Sequence, residues 1–297
     1  MATLARVVAT PPLQRLARAY GQTAQHFAPP TIPPLKYFSA WFCPYAQRAT
    51  IALQHHAVPH VLEEALGWTI TESTVGEQGR TEEAAYHWKS PALLAANPAG
   101  MVPTLLEEGT GLVVKESLVA VEFVNEYAIM HGSKAPSLMP RDPFERARAR
   151  VWAAQVNSKA CSPYYAVLCK PTRPEQLAAF EGLVGSLRQF GEELGGRKFF
   201  CGDSLSLTDV ALLPWAYRFY VLEHYRGSDF AIPRDGDLLY YHRWLERCLE
   251  LPAVQSSCPD KEKYLEHIKK YATNSARSKV ANAVRRGAQA HEYGEND

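Results

Sequence analysis

The stretch from Leu35 to His56 admits few folds. Leu35 to Ser39 (L-K-Y-F-S) reads as a short strand, apolar and aromatic between turn signals. Tyr45, Ala49, Ala52 and Leu53 then recur at spacings of three and four, the period of a helix. Pro44 suits the first helical position, where its missing N–H costs nothing and its fixed φ fits. Cys43 is thereby placed at the N-cap of a helix that follows a strand. Unpaired N–H groups and the helix dipole stabilise negative charge there. The expectation is a thiol of lowered pKa, partly thiolate at neutral pH and nucleophilic. The alternative is a buried cysteine acting as a small hydrophobe. Position 46, where a C-x-x-C pair would hold its resolving thiol, is Ala46. Cys43 cannot close a local disulfide, which predicts a monothiol mechanism served by an external small thiol.

Composition narrows the setting. The chain has 297 residues, 46% hydrophobic, with a net charge of +1. That supports a proper core in one or two domains and argues against a dedicated nucleic-acid binder. No uncharged apolar run is long enough to span a bilayer; the best, Val210 to Leu222, is interrupted by Pro214 and Arg218. Six irregularly spaced cysteines (43, 161, 169, 201, 248 and 258) resemble no disulfide framework. No Cys/His cluster has zinc spacing, so no metal is expected. A reducing compartment, the cytoplasm by default, follows. Residues 1–30 carry Arg6, Arg15 and Arg18, with no Asp or Glu before Glu63. This pattern suits a mitochondrial or plastid targeting segment, or a flexible arm; the lack of serine before Ser39 weighs against targeting.

Along the chain, residues 1–34 form an extension that ends in a proline-rich lead-in. Residues 35–130 read as a small α/β domain. Within it, 60–65 is a strand and 91–96 a short helix. Pro103 opens a strand and makes a candidate cis bond. Residues 112–114 pair with that strand, and a helix begins at Glu116-Ser117. Residues 66–88, with three glycines and many polar groups, read as a long irregular insertion, with Trp68, Tyr86 and Trp88 at its ends. Residues 131–143 read as a linker. From 144 to 272 the pattern is all helical, with single helices expected over 144–169, 174–194, 237–249 and 261–271. Ser206 and Asp209 form a variant capping box, flanked by Leu205 and Val210 at staple positions. Residues 273–297 are basic and read as a surface helix or tail.

These motifs together resemble a known family. F-C-P-Y-A-Q-R resembles the active-site motif of the omega-class glutathione S-transferases, within the thiol-transferase and dehydroascorbate-reductase group. N-P-A-G-M-V-P-T-L and K-E-S resemble the family's glutathione-site motifs, and residues 199–215 resemble the signature of its helical domain. The resemblance covers roughly residues 35–270. It implies a thioredoxin-like α/β domain followed by an all-helical domain, usually in a homodimer, with glutathione as cosubstrate. It implies that Cys43 forms the mixed disulfide, that the Val102 backbone pairs with the cysteinyl part, and that Glu116 meets the γ-glutamyl amine. Ser117 would hold the γ-glutamyl carboxylate, and Lys89 would reach the glycyl carboxylate. A second-substrate pocket is expected near Trp215, Tyr217 and Arg218. The 66–88 insertion and the basic tail depart from the family pattern.

The expected activity is glutathione-dependent reduction of mixed disulfides or dehydroascorbate, with conjugation as a side activity. The competing reading is a non-catalytic protein of the same fold. The chloride intracellular channel proteins and the gamma subunit of elongation factor 1 exemplify it. Against the first analogy, Arg48, Gln54, His55 and His56 break the apolar run after Cys43. Against the second stands the intact Cys-Pro helix start.

Overall fold

A computed structural model describes residues 32–75, 80–234 and 236–292. The targeting expectation for residues 1–30 lies outside them. The chain begins with strand β1 (Leu35–Ser39), helix α1 (Pro44–His55) and strand β2 (His60–Glu64). β1 and β2 pair in parallel, as a βαβ crossover requires. Helix α2 (Pro91–Ala96), strands β5 (Thr104–Glu107) and β6 (Leu112–Val114), and helix α3 (Ser117–Met130) complete a four-stranded sheet of order β2-β1-β5-β6. β5 runs antiparallel to β1 and β6 antiparallel to β5. This is the thioredoxin-like arrangement. Leu35, Tyr37 and Phe38 of the central strand are buried. The Tyr37 hydroxyl donates to the Ala46 carbonyl at 2.7 Å and lies 2.9 Å from Thr50 Oγ1, tying sheet to helix.

The stretch 66–88, expected to be irregular, instead falls in two paired antiparallel strands, β3 (Leu66–Val75) and β4 (Arg80–Lys89). The correction has a physical cause. Ile70 and several threonines favour extended backbone, and Gly67 and Trp88 are cross-strand partners. The Trp88 indole lies over Gly67, 2.5 Å from where a Cβ would sit, so only glycine admits it. Polar composition hid a strand pattern.

The second half is all helical. A single helix was expected over 144–169. The chain instead forms α4 (Pro143–Val156), a π-turn over Asn157–Cys161, and α5 (Ser162–Cys169). Pro163 removes an amide donor early in α5, and the wider turn lets the Ser162 hydroxyl donate to the Asn157 carbonyl at 3.0 Å. There follow α6 (Arg173–Leu194), α7 (Leu207–Arg218), α8 (Tyr220–Arg226), α9 (Leu239–Leu249), α10 (Pro252–Gln255) and α11 (Lys261–Ala272). The C-terminal segment, expected to be a surface helix or tail, does hold a helix, and the correction is that it is packed rather than purely on the surface. It contains α12 (Lys279–Arg285), whose Ala281, Ala283 and Val284 are buried, as are Ala276 and Ala290. Small apolar residues between the basic ones let this segment pack.

The start of α7 depends on Asp209. Its buried carboxylate accepts from the Ser206 N–H (2.8 Å) and hydroxyl, the Phe200 N–H (3.2 Å) and Trp244 Nε1 (2.7 Å). Burial pushes its pKa up to about 6, against the pull of these donors. Asp209→Ala orphans several buried donors, each costing about 1–3 kcal/mol. The variant should lose about 3–5 kcal/mol in urea unfolding, near the scale of a broken buried network.

Candidate active site

One cavity of about 440 Å³ opens at the start of α1. Phe42, Cys43, Pro44 and Tyr45 form one side of it. Lys89, Val102, Glu116 and Ser117 line it too, so the structure brings together the five residues expected to catalyse and to hold glutathione. Each sits there for a local reason. Val102 precedes the cis bond to Pro103. Glu116 precedes α3 with φ of 66°, a conformation rare for a residue with a Cβ. Ser117 begins α3, where the first-turn N–H groups have no intrahelical acceptors. Lys89 ends β4 and donates from Nζ to the Ala99 carbonyl at 3.0 Å. Its chain crosses Gly100 (φ 61°), and Lys89 Cδ lies 2.3 Å from where a Cβ would stand, so glycine is required twice over.

Cys43 is half-buried at the N-cap of α1, with Pro44 at the first helical position. Its electrostatics correct the expectation. Burial pushes the Cys43 thiol up, while the Ala46 and Tyr45 backbone amides and the Arg218 and Arg48 guanidinium groups pull it down. Burial wins, so the thiol is raised rather than lowered. A helix start stabilises a thiolate, but here that start lies against the second domain. Removing a charge from water costs more than the helix end returns.

Trp215, Tyr217 and Arg218 do not line the cavity. Trp215 and Arg218 are fully buried, and the Tyr217 hydroxyl donates to the Pro259 carbonyl at 2.7 Å. α7 is the central helix of its domain, so its side chains face core. The wall comes instead from Tyr165 of α5 and from Tyr264, His267, Ile268 and Tyr271 of α11. Those four stand at i, i+3, i+4 and i+7, one helix face, and that spacing was the signal available in the sequence. His267 stacks on Phe42 at 4.0 Å, which brings α11 against the cysteine loop. Asn157 of the π-turn and Arg277–Val280 of the C-terminal segment complete the lining, with His291.

The set fits glutathione. Val102 offers its backbone groups beside the cavity, Glu116 a carboxylate that suits an ammonium, Ser117 a helix start that suits a carboxylate, and Lys89 a cation that suits another carboxylate. Among the described residues no group of acidic, histidine or cysteine side chains could hold a metal. Two measurements follow. Glu116→Gly should relieve strain of about 1–3 kcal/mol and raise the urea midpoint. The same change should weaken glutathione about tenfold in calorimetry, through loss of a charged hydrogen bond; unchanged affinity would mean that Glu116 does not touch the ligand. Because only the thiolate is alkylated, Cys43 labelling by iodoacetamide should be slow at neutral pH. It should rise with pH to a midpoint above that of an ordinary cysteine, and a plateau reached below neutrality would contradict the raised thiol.

Comparison with known proteins agrees with this geometry. The glutathione S-transferase N-terminal domain model matches residues 42–126, and the C-terminal domain model matches residues 145–247. A probable glutathione S-transferase, parC of Nicotiana tabacum, is 34% identical over 61% of this chain and 78% of its own. The structure of glutathione transferase Omega 3C from Trametes versicolor superposes with a TM-score of 0.64 at 26% identity, over 82% of this chain and 93% of that one. Rice GST1, solved in complex with glutathione, gives a TM-score of 0.65 at 25% identity, over 81% and 97%. The curated relatives are mostly plant proteins of the Tau class, so the omega assignment of the sequence reading is not established. The family uses glutathione as cosubstrate and typically forms dimers. With both domain models matched in order across one cavity, the chain belongs to the glutathione S-transferase family.

Proposed function

We propose that this glutathione S-transferase is a thiol transferase of omega-like chemistry, working through Cys43. The observation that carries the reading is the placing of a single thiol. Cys43 is the only cysteine among the described residues that lines the glutathione cavity. Cys161 is buried against the Tyr45 hydroxyl at 2.7 Å, and burial pushes its pKa up to about 12. Cys43 therefore has no resolving partner in the cavity and depends on glutathione.

The Cys43 thiolate attacks the glutathionyl sulphur of a mixed disulfide. The Cys43–glutathione disulfide forms, and the other thiolate leaves and takes a proton. A second glutathione thiolate then attacks that glutathionyl sulphur, releasing glutathione disulfide and restoring Cys43. The net change oxidises one glutathione thiol and reduces the mixed disulfide to the free substrate thiol, the other half of glutathione disulfide coming from the mixed disulfide itself. Dehydroascorbate brings no glutathionyl group, so its two-electron reduction to ascorbate consumes two glutathione thiols, which leave joined as glutathione disulfide. Arg218 and Arg48 supply the charge that favours the thiolate once it forms. The proposal takes the chain as a homodimer, the usual state of the family.

The raised Cys43 thiol favours a second reading, conjugation. There a protonated Cys43 donates its S–H to the glutathione sulphur, where other family members use Ser or Tyr. One variant separates the two. In the thiol-transfer reading, Cys43→Ser loses about 100-fold or more of the glutathione-dependent reduction of hydroxyethyl disulfide, as for loss of a nucleophile. Equal reduction by both proteins would sink the Cys43 mechanism. Conjugation to 1-chloro-2,4-dinitrobenzene that survives or rises in Cys43→Ser would favour the second reading.

A further inference from the structure

One buried cation holds two residues of the cavity from behind. Arg48 Nη1 donates to Ser117 Oγ at 3.0 Å, and Nη2 donates to Asn157 Oδ1 at 3.0 Å. Ser117 begins α3 in the first domain, and Asn157 begins the π-turn in the second. Both line the cavity, whereas Arg48 does not. A guanidinium has donors and no acceptor. It therefore takes the oxygen of each partner and decides what each can offer on its other side. The Asn157 amide has one allowed orientation, since Nδ2 turned towards Arg48 would set donor against donor. Its two Nδ2 hydrogens are left over and make no bond among the described residues. The Ser117 hydroxyl hydrogen is left over in the same way.

The placing of Asn157 is built. α4 stops at Val156, and the wider turn over Asn157–Cys161 follows; such turns are frequent at functional sites. The Ser162 hydroxyl braces it, donating to the Asn157 carbonyl at 3.0 Å and accepting from the Ala290 N–H at 3.0 Å. Ala290 belongs to the C-terminal segment, which is itself pinned to β4. The Ala85 N–H donates to the Ser275 carbonyl at 2.9 Å, and the Arg277 N–H donates to the Ala85 carbonyl at 2.8 Å. The stretches that depart from the family pattern thus support the turn that carries Asn157.

We propose that Asn157 is a glutathione-binding residue, whose Nδ2 donates to the γ-glutamyl carboxylate beside the Ser117 hydroxyl. Both domains of one chain then grip the same charged group. The two residues accept from neighbouring nitrogens of one planar group, which keeps their leftover donors close enough to converge on one ligand anion. A carboxylate has about four lone-pair sites, enough for the Ser117 hydroxyl and both Nδ2 hydrogens. The Arg48 charge behind each donor polarises it and strengthens its bond to an anion. The assignment deepens the transferase reading. It rests on glutathione filling the Cys43-to-Ser117 side and holds whichever role Cys43 plays.

The test is calorimetry with ligands that cannot react, so its failure is distinct from failure of the disulfide assay. S-methylglutathione and S-methyl-4-aminobutyryl-cysteinylglycine, which lacks only the γ-glutamyl carboxylate, are titrated into the full chain and two variants. Asn157→Ala should bind S-methylglutathione about tenfold more weakly and bind the decarboxylated peptide as the wild type does. Asn157→Asp separates ligand from fold. Its carboxylate still accepts from Arg48 and pairs with that charge, so the urea midpoint should hold or rise. It also sets an anion where the ligand carboxylate belongs. S-methylglutathione should then bind about tenfold more weakly or worse, with the loss shrinking as salt is added. Wild-type affinity for S-methylglutathione in Asn157→Asp would overturn the proposal. So would an equal loss for the two peptides in Asn157→Ala, which would assign Asn157 to the docking of the domains alone.

Discussion

The Arg48 guanidinium is fully buried, and the partners that hold it among the described residues are neutral. Nε donates to the Ala211 carbonyl at 3.1 Å, Nη1 to Ser117 Oγ at 3.0 Å and Nη2 to Asn157 Oδ1 at 3.0 Å. Its face lies 4.5 Å from the Trp215 ring centroid and 5.6 Å from that of Tyr45. A neutral cage suffices because a guanidinium is weakly hydrated, planar and matched to forked acceptors. Burial lowers its pKa only to about 10, so it stays charged at neutral pH. This one side chain joins α1, the start of α3, the π-turn and α7. Withdrawing any one acceptor leaves a buried donor of this cation unsatisfied, which costs about 1–3 kcal/mol or more.

The active site depends on that junction. α1 carries Cys43, α3 carries Ser117, and the π-turn carries Asn157, so the residue that docks the domains also aligns three parts of the cavity. The same docking explains the Cys43 thiol. Closing the helical domain over the start of α1 removes water from the sulphur, and the two buried guanidinium groups offset only part of that cost. Fold stability and thiol activation therefore compete at one place.

Much of this was legible from residue order. The β1–Cys43–α1 unit, the proline before β5 and the capping box at Ser206 rest on local rules of strand, cap and turn, which act over a few residues; the residues expected to hold glutathione came from the resemblance of short motifs to a family. The β3–β4 pair was missed because its strand pattern is diluted by polar residues and glycine. It gains support from a neighbour nearly 200 positions away, the Ser275–Arg277 backbone. The break after Val156 was missed because α4 and α5 continue one helical period. The α11 face was periodic and visible, but nothing local said that it meets Phe42. Placing the second pocket on α7 failed for the matching reason: an apolar, aromatic helix reads alike whether it walls a cavity or fills a core.

By itself the sequence determined a monothiol cysteine at a helix start, with Ala46 in the place of a resolving partner, and the order of an α/β half before a helical half. Those properties are set by neighbours along the chain. The tertiary structure alone decided that burial outweighs the helix end at Cys43. It also decided that Trp215 and Arg218 belong to the core, and that the β3–β4 pair and the C-terminal segment close one cavity. Desolvation and long-range pairing depend on what the fold brings within a few ångströms, and no local pattern encodes that.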